Sequence, residues 1–332
     1  MKVGFVGTGW FGNEHAKIAR KLGLEVSACF NVNSAKAETF AKTFGCRKFE
    51  NPLEMISRKY IDILFIAIPP FAHDGSVEKA AVFAGIPFLC EKPIGLNLEL
   101  CRDISDKIHG CGLVTSGGYM LRHGDSVAKV KNVLCRNMIS IARTCRMGGF
   151  VPVHWWRKMS GSGGMMVEMA THQVDFMIYL LGDISSVSAV TSSGINSMRF
   201  ENCDVYDSMA AQVVFRSRAI GSIAISNVLN NKDQPVPKCN SLEICGQDFF
   251  LTYNMDSDKI SYKEGNSEWV TIPVESNDMK LELEHRNFIN AVKEENPALV
   301  LGTYADALKT LEVTLAMNES TAKGGVPVKI GL

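Results

Sequence analysis

The sequence lacks net charge: Lys plus Arg number 35 and Asp plus Glu number 35 in 332 residues. With no basic field to gather phosphates, a nucleic-acid or anionic-membrane partner is disfavoured. Long hydrophobic runs are missing too. The stretch from Ile61 to Pro70 is broken by Asp62 and two prolines, far short of the roughly 18 apolar residues a spanning helix needs. The start, Met1-Lys2-Val3-Gly4-Phe5-Val6-Gly7, turns glycine-rich too early for the apolar core of a signal peptide. A soluble, cytoplasmic protein is the expectation. The 10 cysteines include no Cys-x-x-Cys pair, so neither a zinc site nor a disulfide frame is expected, and a reducing compartment suits them. Thiols such as Cys29, within Val26-Ser27-Ala28-Cys29-Phe30, read as small hydrophobes.

The length is enough for two domains. Up to about Met120, short apolar runs alternate with helical patterns, as in a parallel sheet with crossover helices. Strands are expected at Lys2 to Val6, Glu25 to Phe30, Asp62 to Ile68, Pro87 to Cys90 and Leu113 to Tyr119. Beyond Arg122 one long helix is followed by β runs at Ile184 to Thr191, Ser208 to Phe215, Ile220 to Val228, Ser241 to Cys245 and Phe249 to Tyr253. Consecutive strands of this kind pair antiparallel, and two helices near Met279 to Glu294 and Tyr304 to Lys323 close the chain. The expected fold class is α/β. An N-terminal doubly wound, parallel-sheet domain, residues 1–121, precedes an α+β domain, residues 122–332.

Gly7-Thr8-Gly9-Trp10-Phe11-Gly12 follows a predicted strand and opens a predicted helix, the setting that the GxGxxG dinucleotide fingerprint requires. Gly7 permits the tight turn, Gly9 lets backbone N–H groups approach a pyrophosphate, and Gly12 lets helix and strand close up, with Trp10 and Phe11 beside them. The second strand ends at Asn31, near the ~20-residue offset of the ribose-reading residue. NAD enzymes usually carry Asp or Glu there, which repels a 2′-phosphate. Asn31 does not repel one, and Asn33, Ser34 and Lys36 offer donors, so the cofactor is NAD or NADP with a lean to NADP.

The fingerprint, then Ile68-Pro69-Pro70-Phe71-Ala72-His73, then Cys90-Glu91-Lys92-Pro93, then Gly163-Gly164-Met165-Met166-Val167-Glu168-Met169-Ala170-Thr171-His172-Gln173-Val174-Asp175 resemble, in that order, the Gfo/Idh/MocA family of sugar and polyol dehydrogenases. The likeness runs nearly to the Ala322-Lys323-Gly324-Gly325-Val326-Pro327-Val328 ending. It implies a Rossmann domain and a substrate-binding second domain whose open-faced sheet commonly builds dimers or tetramers. It also implies that Pro69, His73, Glu91 and Lys92 line the cofactor site, with Lys92 the cation near the substrate oxygen, His172 the acid/base and Glu168 the group that orients it. Many members supply Asp where this chain has Glu168, which makes substrate placement differ.

The residues point the same way unaided. On one continuous helix at 100° per residue, Glu168, His172 and Asp175 fall within about 60° of one another amid Met, Val, Ile and Leu. Burying such groups is costly unless they are paired or used, so a polar stripe of this kind lines a cavity. Isolated histidines such as His109 and His285 carry no comparable weight. Trp156 and Arg157, just ahead of that helix, are candidates to stack on and hold a sugar; Arg122 and Asp175 are further candidate contacts. Oxidising a secondary alcohol needs a base for its proton and a cation for its oxygen. Two rivals stand beside this reading. One is a metal site on Glu168 and His172, for which no third ligand is evident; the other is a catalytically inactive sugar- or dinucleotide-sensing regulator of the same fold.

Overall fold

The computed structural model describes residues 1–229, 238–255, 257 and 259–331. They form two compact units: Met1–Met120 with Leu281–Leu308, and Leu121–Lys280 with Lys309–Leu332. A single division at 121/122 therefore leaves out one exchange, because Leu281–Leu308 clusters with the first unit.

The first unit is built on β1 (Lys2–Val6), β2 (Glu25–Phe30), β3 (Arg47–Lys48), β4 (Ile63–Ile66), β5 (Phe88–Cys90) and β6 (Thr115–Gly117), all parallel in the order β3-β2-β1-β4-β5-β6. Strand order reverses between β1 and β4, and at such a switch point a crevice opens beyond the strands' carboxyl ends. Val3, Phe5 and every residue of β4 are fully buried, covered by helices on both faces, which is why they read as unbroken apolar runs. The connecting helices are α1 (Trp10–Lys21), α2 (Ser34–Phe44), α3 (Pro52–Met55), α4 (Ser76–Phe83) and α5 (Leu98–Cys111). The side chains of Asn33 and Asn97 cap α2 and α5, and Gly45 and Gly112 stop them. Strand β3 was not anticipated: two polar-headed residues, Arg47 and Lys48, carry no periodicity to detect.

The second unit holds α6 (Asp125–Leu134), β7 (Ile139–Gly149), α7 (Met159–Ser162), α8 (Gly164–Glu168), α9 (Thr171–Leu181), β8 (Ile184–Ser192), α10 (Ile195–Arg199), β9 (Ser208–Phe215), β10 (Ile220–Leu229), β11 (Cys239–Gly246), β12 (Phe249–Asn254), β13 (Lys259–Glu264), β14 (Val270–Pro273) and β15 (Val328–Lys329). Its sheet runs β14-β13-β12-β11-β7-β10-β9-β8-β15. Helices α11 (Asn277–Lys293) and α12 (Tyr304–Ala322) each contribute residues to both units. Consecutive strands β8, β9 and β10, and β11 with β12, pair antiparallel as expected, and between β10 and β11 lies the long strand β7, antiparallel to β11 and parallel to β10. It escaped sequence reading because Arg143 and Arg146 interrupt its apolar residues; Arg143 faces Glu243 directly across β11 and bonds to it. The sheet buries one face. On β9, Met209, Ala211, Val213 and Phe215 point into a core with Met165, Met166, Val174 and Met177, whereas Ala210, Gln212 and Val214 point out. Each large apolar side chain so buried stabilises the fold by about 1.5–3 kcal/mol.

The expected long helix is broken in two. The N–H groups of Met169 and Ala170 both reach the Met165 carbonyl, at 2.9 Å and 2.9 Å, and α9 begins afresh at Thr171. Among the described residues, no helix is long and apolar enough to cross a membrane.

One buried group makes this unit sensitive to acid. Burial, and then the neighbouring Arg122 charge, push the His123 imidazole from 6.5 down to about 4. Between those values the unfolded chain binds a proton that the folded chain refuses, so stability falls as pH drops through the window, by about 3 kcal/mol in all. Urea denaturation at pH 7 and pH 5 should show His123→Phe losing about 2 kcal/mol less than wild type over that interval. Equal losses would mean that another group sets the slope.

Candidate active site

At the end of β1 the chain turns through Gly7, φ 95°, whose added Cβ would sit 2.1 Å from the Ala67 carbonyl oxygen. A Cβ on Gly12 would sit 2.2 Å from the Gly7 carbonyl oxygen, yet one on Gly9 would meet nothing within 4 Å. Two glycines are thus required by packing, and the third leaves a bare, open backbone. Above it α1 starts with no side-chain cap, and the Thr8 hydroxyl is buried without a partner. Unsatisfied first-turn N–H groups, an orphaned hydroxyl and a cradle that a side chain would fill together fit a dinucleotide pyrophosphate. Trp10 and Phe11 are exposed beside the turn, their rings edge to face at 4.7 Å.

The loop after β2 is more committed than expected. The Asn31 side chain accepts the Asn33 N–H at 2.8 Å, and Asn33 in turn accepts the Lys36 N–H at 3.1 Å. The ammonium that reaches this loop is Lys48, from the unanticipated β3; it donates to the Ser34 hydroxyl at 2.6 Å and pairs with Glu50 at 2.8 Å. Sequence reasoning missed it because strand pairing alone brings it there.

Beyond β4, Pro69 leads into a single 3₁₀ turn, Pro70–Ala72, and then His73. His73 Nδ1 and Glu78 Oε1 lie 2.5 Å apart, both buried, while His73 Nε2 is buried without a partner. Cys90 stands close enough that the three groups gather within 4.8 Å, although the bond between His73 and Glu78 already occupies two of them. Glu91 departs from its expected place against the cofactor: its carboxylate turns inward, to His15 Nε2 at 2.8 Å and to the Lys92 N–H at 3.1 Å. Lys92 itself is half-buried just past the carboxyl end of β5.

In the second unit Glu168 ends α8 and His172 is the second residue of α9, so the 100° spacing that grouped them with Asp175 does not cross the break. Glu168 is buried and His172 half-buried. Asp175 and Arg122, expected to touch substrate, occupy one another: Arg122 Nε and Nη2 reach the carboxylate at 2.9 Å and 2.7 Å, and the Thr310 hydroxyl adds a contact at 3.2 Å. Their exposures of 3 % and 0 % suit a structural ion pair. Trp156 is 2 % exposed with its ring edge-on to Phe150, which makes it a core residue and not a platform for sugar. Arg157 donates to the Pro152 carbonyl and lies over Phe200, half-buried. A buried cation that the sequence did not reveal is Lys280, which donates to the Tyr253 hydroxyl at 2.9 Å.

Comparison with known proteins settles the family. Residues 1–119 match the model described as "Oxidoreductase family, NAD-binding Rossmann fold", and residues 140–249 match the "GFO/IDH/MocA C-terminal domain". The chain belongs to the Gfo/Idh/MocA family. As a member it is an oxidoreductase with an NAD-binding Rossmann domain. Its relatives include scyllo-inositol 2-dehydrogenase (NAD(+)) of Bacillus subtilis, 25% identical over 99% of this chain and 96% of that protein. Levoglucosan dehydrogenase of Pseudarthrobacter phenanthrenivorans is 23% identical over 77% of this chain and 74% of its own. A levoglucosan dehydrogenase solved with NADH and L-sorbose has the same fold, with a TM-score of 0.88 and 20% identity over 100% of this chain and 99% of that one.

The fingerprint glycines should separate by variant. Gly9→Ala meets no protein atom and should fold normally, yet raise the NADH dissociation constant at least ~10-fold by filling the cradle. Gly12→Ala should lose binding and also about 1–3 kcal/mol of stability, through its clash with the Gly7 carbonyl. NADH fluorescence titration beside urea denaturation tests both, and unimpaired binding by Gly9→Ala would remove this turn from the cofactor site.

Proposed function

We propose that the chain transfers a hydride between a nicotinamide dinucleotide and a secondary alcohol or ketone on a sugar or cyclic polyol. The observation that carries this reading is the break between α8 and α9, where Glu168 and His172 stand beside the buried Met165, Met166 and Val174. The inositol and levoglucosan dehydrogenases among the relatives support the substrate class. A bound nicotinamide would supply the hydride acceptor for the carbinol carbon. The protein's part is to take the hydroxyl proton on His172, to hold the developing alkoxide with the Lys92 ammonium, and to orient the imidazole with Glu168. A regulator of the same fold would need neither Lys92 nor His172, and both are present.

The open face of the second sheet supports self-association as a dimer or tetramer. Ile141, Val190, Val214, Ile220 and Phe250 are exposed there on strands whose alternate residues are buried. The free cysteines support a reducing, cytoplasmic setting.

A spectrophotometric screen of sugars, inositols and keto-sugars with NAD⁺ and NADP⁺ tests the reading directly. With the substrate it identifies, His172→Ala should lower turnover roughly 10²- to 10⁴-fold while leaving NADH binding near wild type. Turnover close to wild type would remove His172 from the acid/base role.

Cofactor choice belongs to the same reading. NAD(H) suits the family, and with Asn31 in place of a carboxylate and Lys48 nearby, NADP(H) should bind as well. Asn31→Asp brings back an anion beside the 2′ position and should shift preference towards NADH by several kcal/mol at most. NADPH and NADH titrations at one ionic strength measure the ratio, and an unchanged ratio would place Asn31 away from the ribose.

A further inference from the structure

The first unit buries three ionisable side chains in a row. His15 Nε2 lies 2.8 Å from Glu91 Oε1, His15 Nδ1 lies 2.9 Å from His285 Nε2, and His285 Nδ1 lies 2.7 Å from the Leu281 carbonyl oxygen. Both histidines are 0 % exposed and Glu91 is 7 % exposed. The Phe65 ring stacks on His285 at 5.0 Å and lies 5.4 Å from His15, with Phe11 6.2 Å from His15 on another side. Gly118 makes room for the carboxylate, since a Cβ there would lie 2.8 Å from Glu91 Oε2.

The contacts dictate a proton count. A carbonyl oxygen only accepts, so His285 Nδ1 carries a hydrogen. A neutral ring then presents Nε2 as an acceptor, so the hydrogen between the two rings belongs to His15 Nδ1. A neutral His15 would therefore turn a bare nitrogen towards Glu91, and an ionised carboxylate has no hydrogen to offer. Three contacts need three protons, whereas two neutral imidazoles bring two. An imidazolium at either His15 or His285 supplies the third and satisfies the same three contacts. The second oxygen of Glu91 accepts the Lys92 N–H.

We infer that Glu91, His15 and His285, with the third proton held on the pair of rings, form a buried positioning relay that holds the turn carrying Lys92 to the helix that opens on the fingerprint. The relay touches no substrate. It acts through geometry: His15 stands on α1, three residues past Gly12, and Glu91 immediately precedes Lys92, so one ion pair sets the spacing of both. His285, itself anchored to the Leu281 carbonyl, fixes the ring of His15 and hence the direction of its Nε2–H. Its catalytic consequence rests on the proposed role of Lys92; its protonation does not.

The test therefore has two arms. In the full chain labelled with ¹⁵N-histidine at pH 7.5, NMR should show one buried imidazolium with hydrogens on both ring nitrogens, and that signature should vanish in Glu91→Gln. Two neutral rings in wild type would overturn the relay whatever the activity. In the second arm, NAD⁺-dependent oxidation of scyllo-inositol or levoglucosan is followed in His285→Leu, which removes the partner ring, and in Gly118→Ala, which displaces the Glu91 carboxylate. Both should lower kcat about 10- to 100-fold with little change in the KM for NAD⁺, as misplacing a reacting group does. His285→Gln, whose amide oxygen can accept the His15 hydrogen, should recover most of the loss. Wild-type kcat in folded His285→Leu and Gly118→Ala would overturn the positioning role. If neither polyol is oxidised by the wild type, the proposed function falls for those substrates and the NMR arm still decides the relay.

Discussion

The cofactor side of the first unit depends on a contact in which no side chain takes part. The α carbon of Gly12 rests against the Gly7 carbonyl, and Gly7 rests against the carbonyl of Ala67 at the end of β4, with no space for a methyl group at either point. Helix α1 is thereby drawn down onto β1 and β4 at the switch point, which aims its uncapped first turn into the open space over Gly9. The same approach carries His15 into the core one turn later, where it meets Glu91. An anion cradle on the surface and a paired charge beneath it thus follow from one backbone packing constraint.

The second unit depends on a sheet with only one face committed. The buried face of β9 and β10 meets α8 and α9, and the break at Met169–Ala170 lets both short helices lie flat on a twisted surface that a single straight helix would leave. Several buried charged groups in this unit are paired. Arg122 and Asp175 satisfy each other with Thr310, and Lys280 reaches Tyr253. Leaving one such charge alone would cost several kcal/mol, so the pairs secure the packing around them even where they add little net stability.

The sequence made legible what local chemistry dictates. The strands Lys2–Val6, Glu25–Phe30 and Ser208–Phe215 have the bounds that their apolar periods suggested. The family likeness likewise rested on short motifs that survive as contiguous letters. What stayed hidden depends on distant partners. β7 alternates Arg with Ala and Thr and becomes a strand only between β10 and β11, while β3 is two residues long. The Arg122–Asp175 pair joins residues 53 apart, and the contact between His15 and His285 joins residues 270 apart. A hint of the latter was present, since His15 shares its face of α1 with Gly12, Ala16 and Ala19, a run of small buried residues in which a histidine needs a reason.

Helix α9 and the end of α8 also show why residue type alone does not identify a catalytic group. Asp175, Glu168 and His172 looked alike as polar interruptions of an apolar pattern, yet Asp175, at 0 % exposure, is held by a bidentate guanidinium and a hydroxyl. His172 differs in one physical respect, its partial exposure in the first turn of α9. The same criterion divides the first unit. Lys92 is half-buried and follows a strand end, whereas Glu91, one residue earlier, is turned inward and bonded at both oxygens. Adjacent residues of a single motif therefore differ in environment: the Glu91 carboxylate bonds both the His15 ring and the backbone N–H of Lys92, while the Lys92 side chain is half-buried.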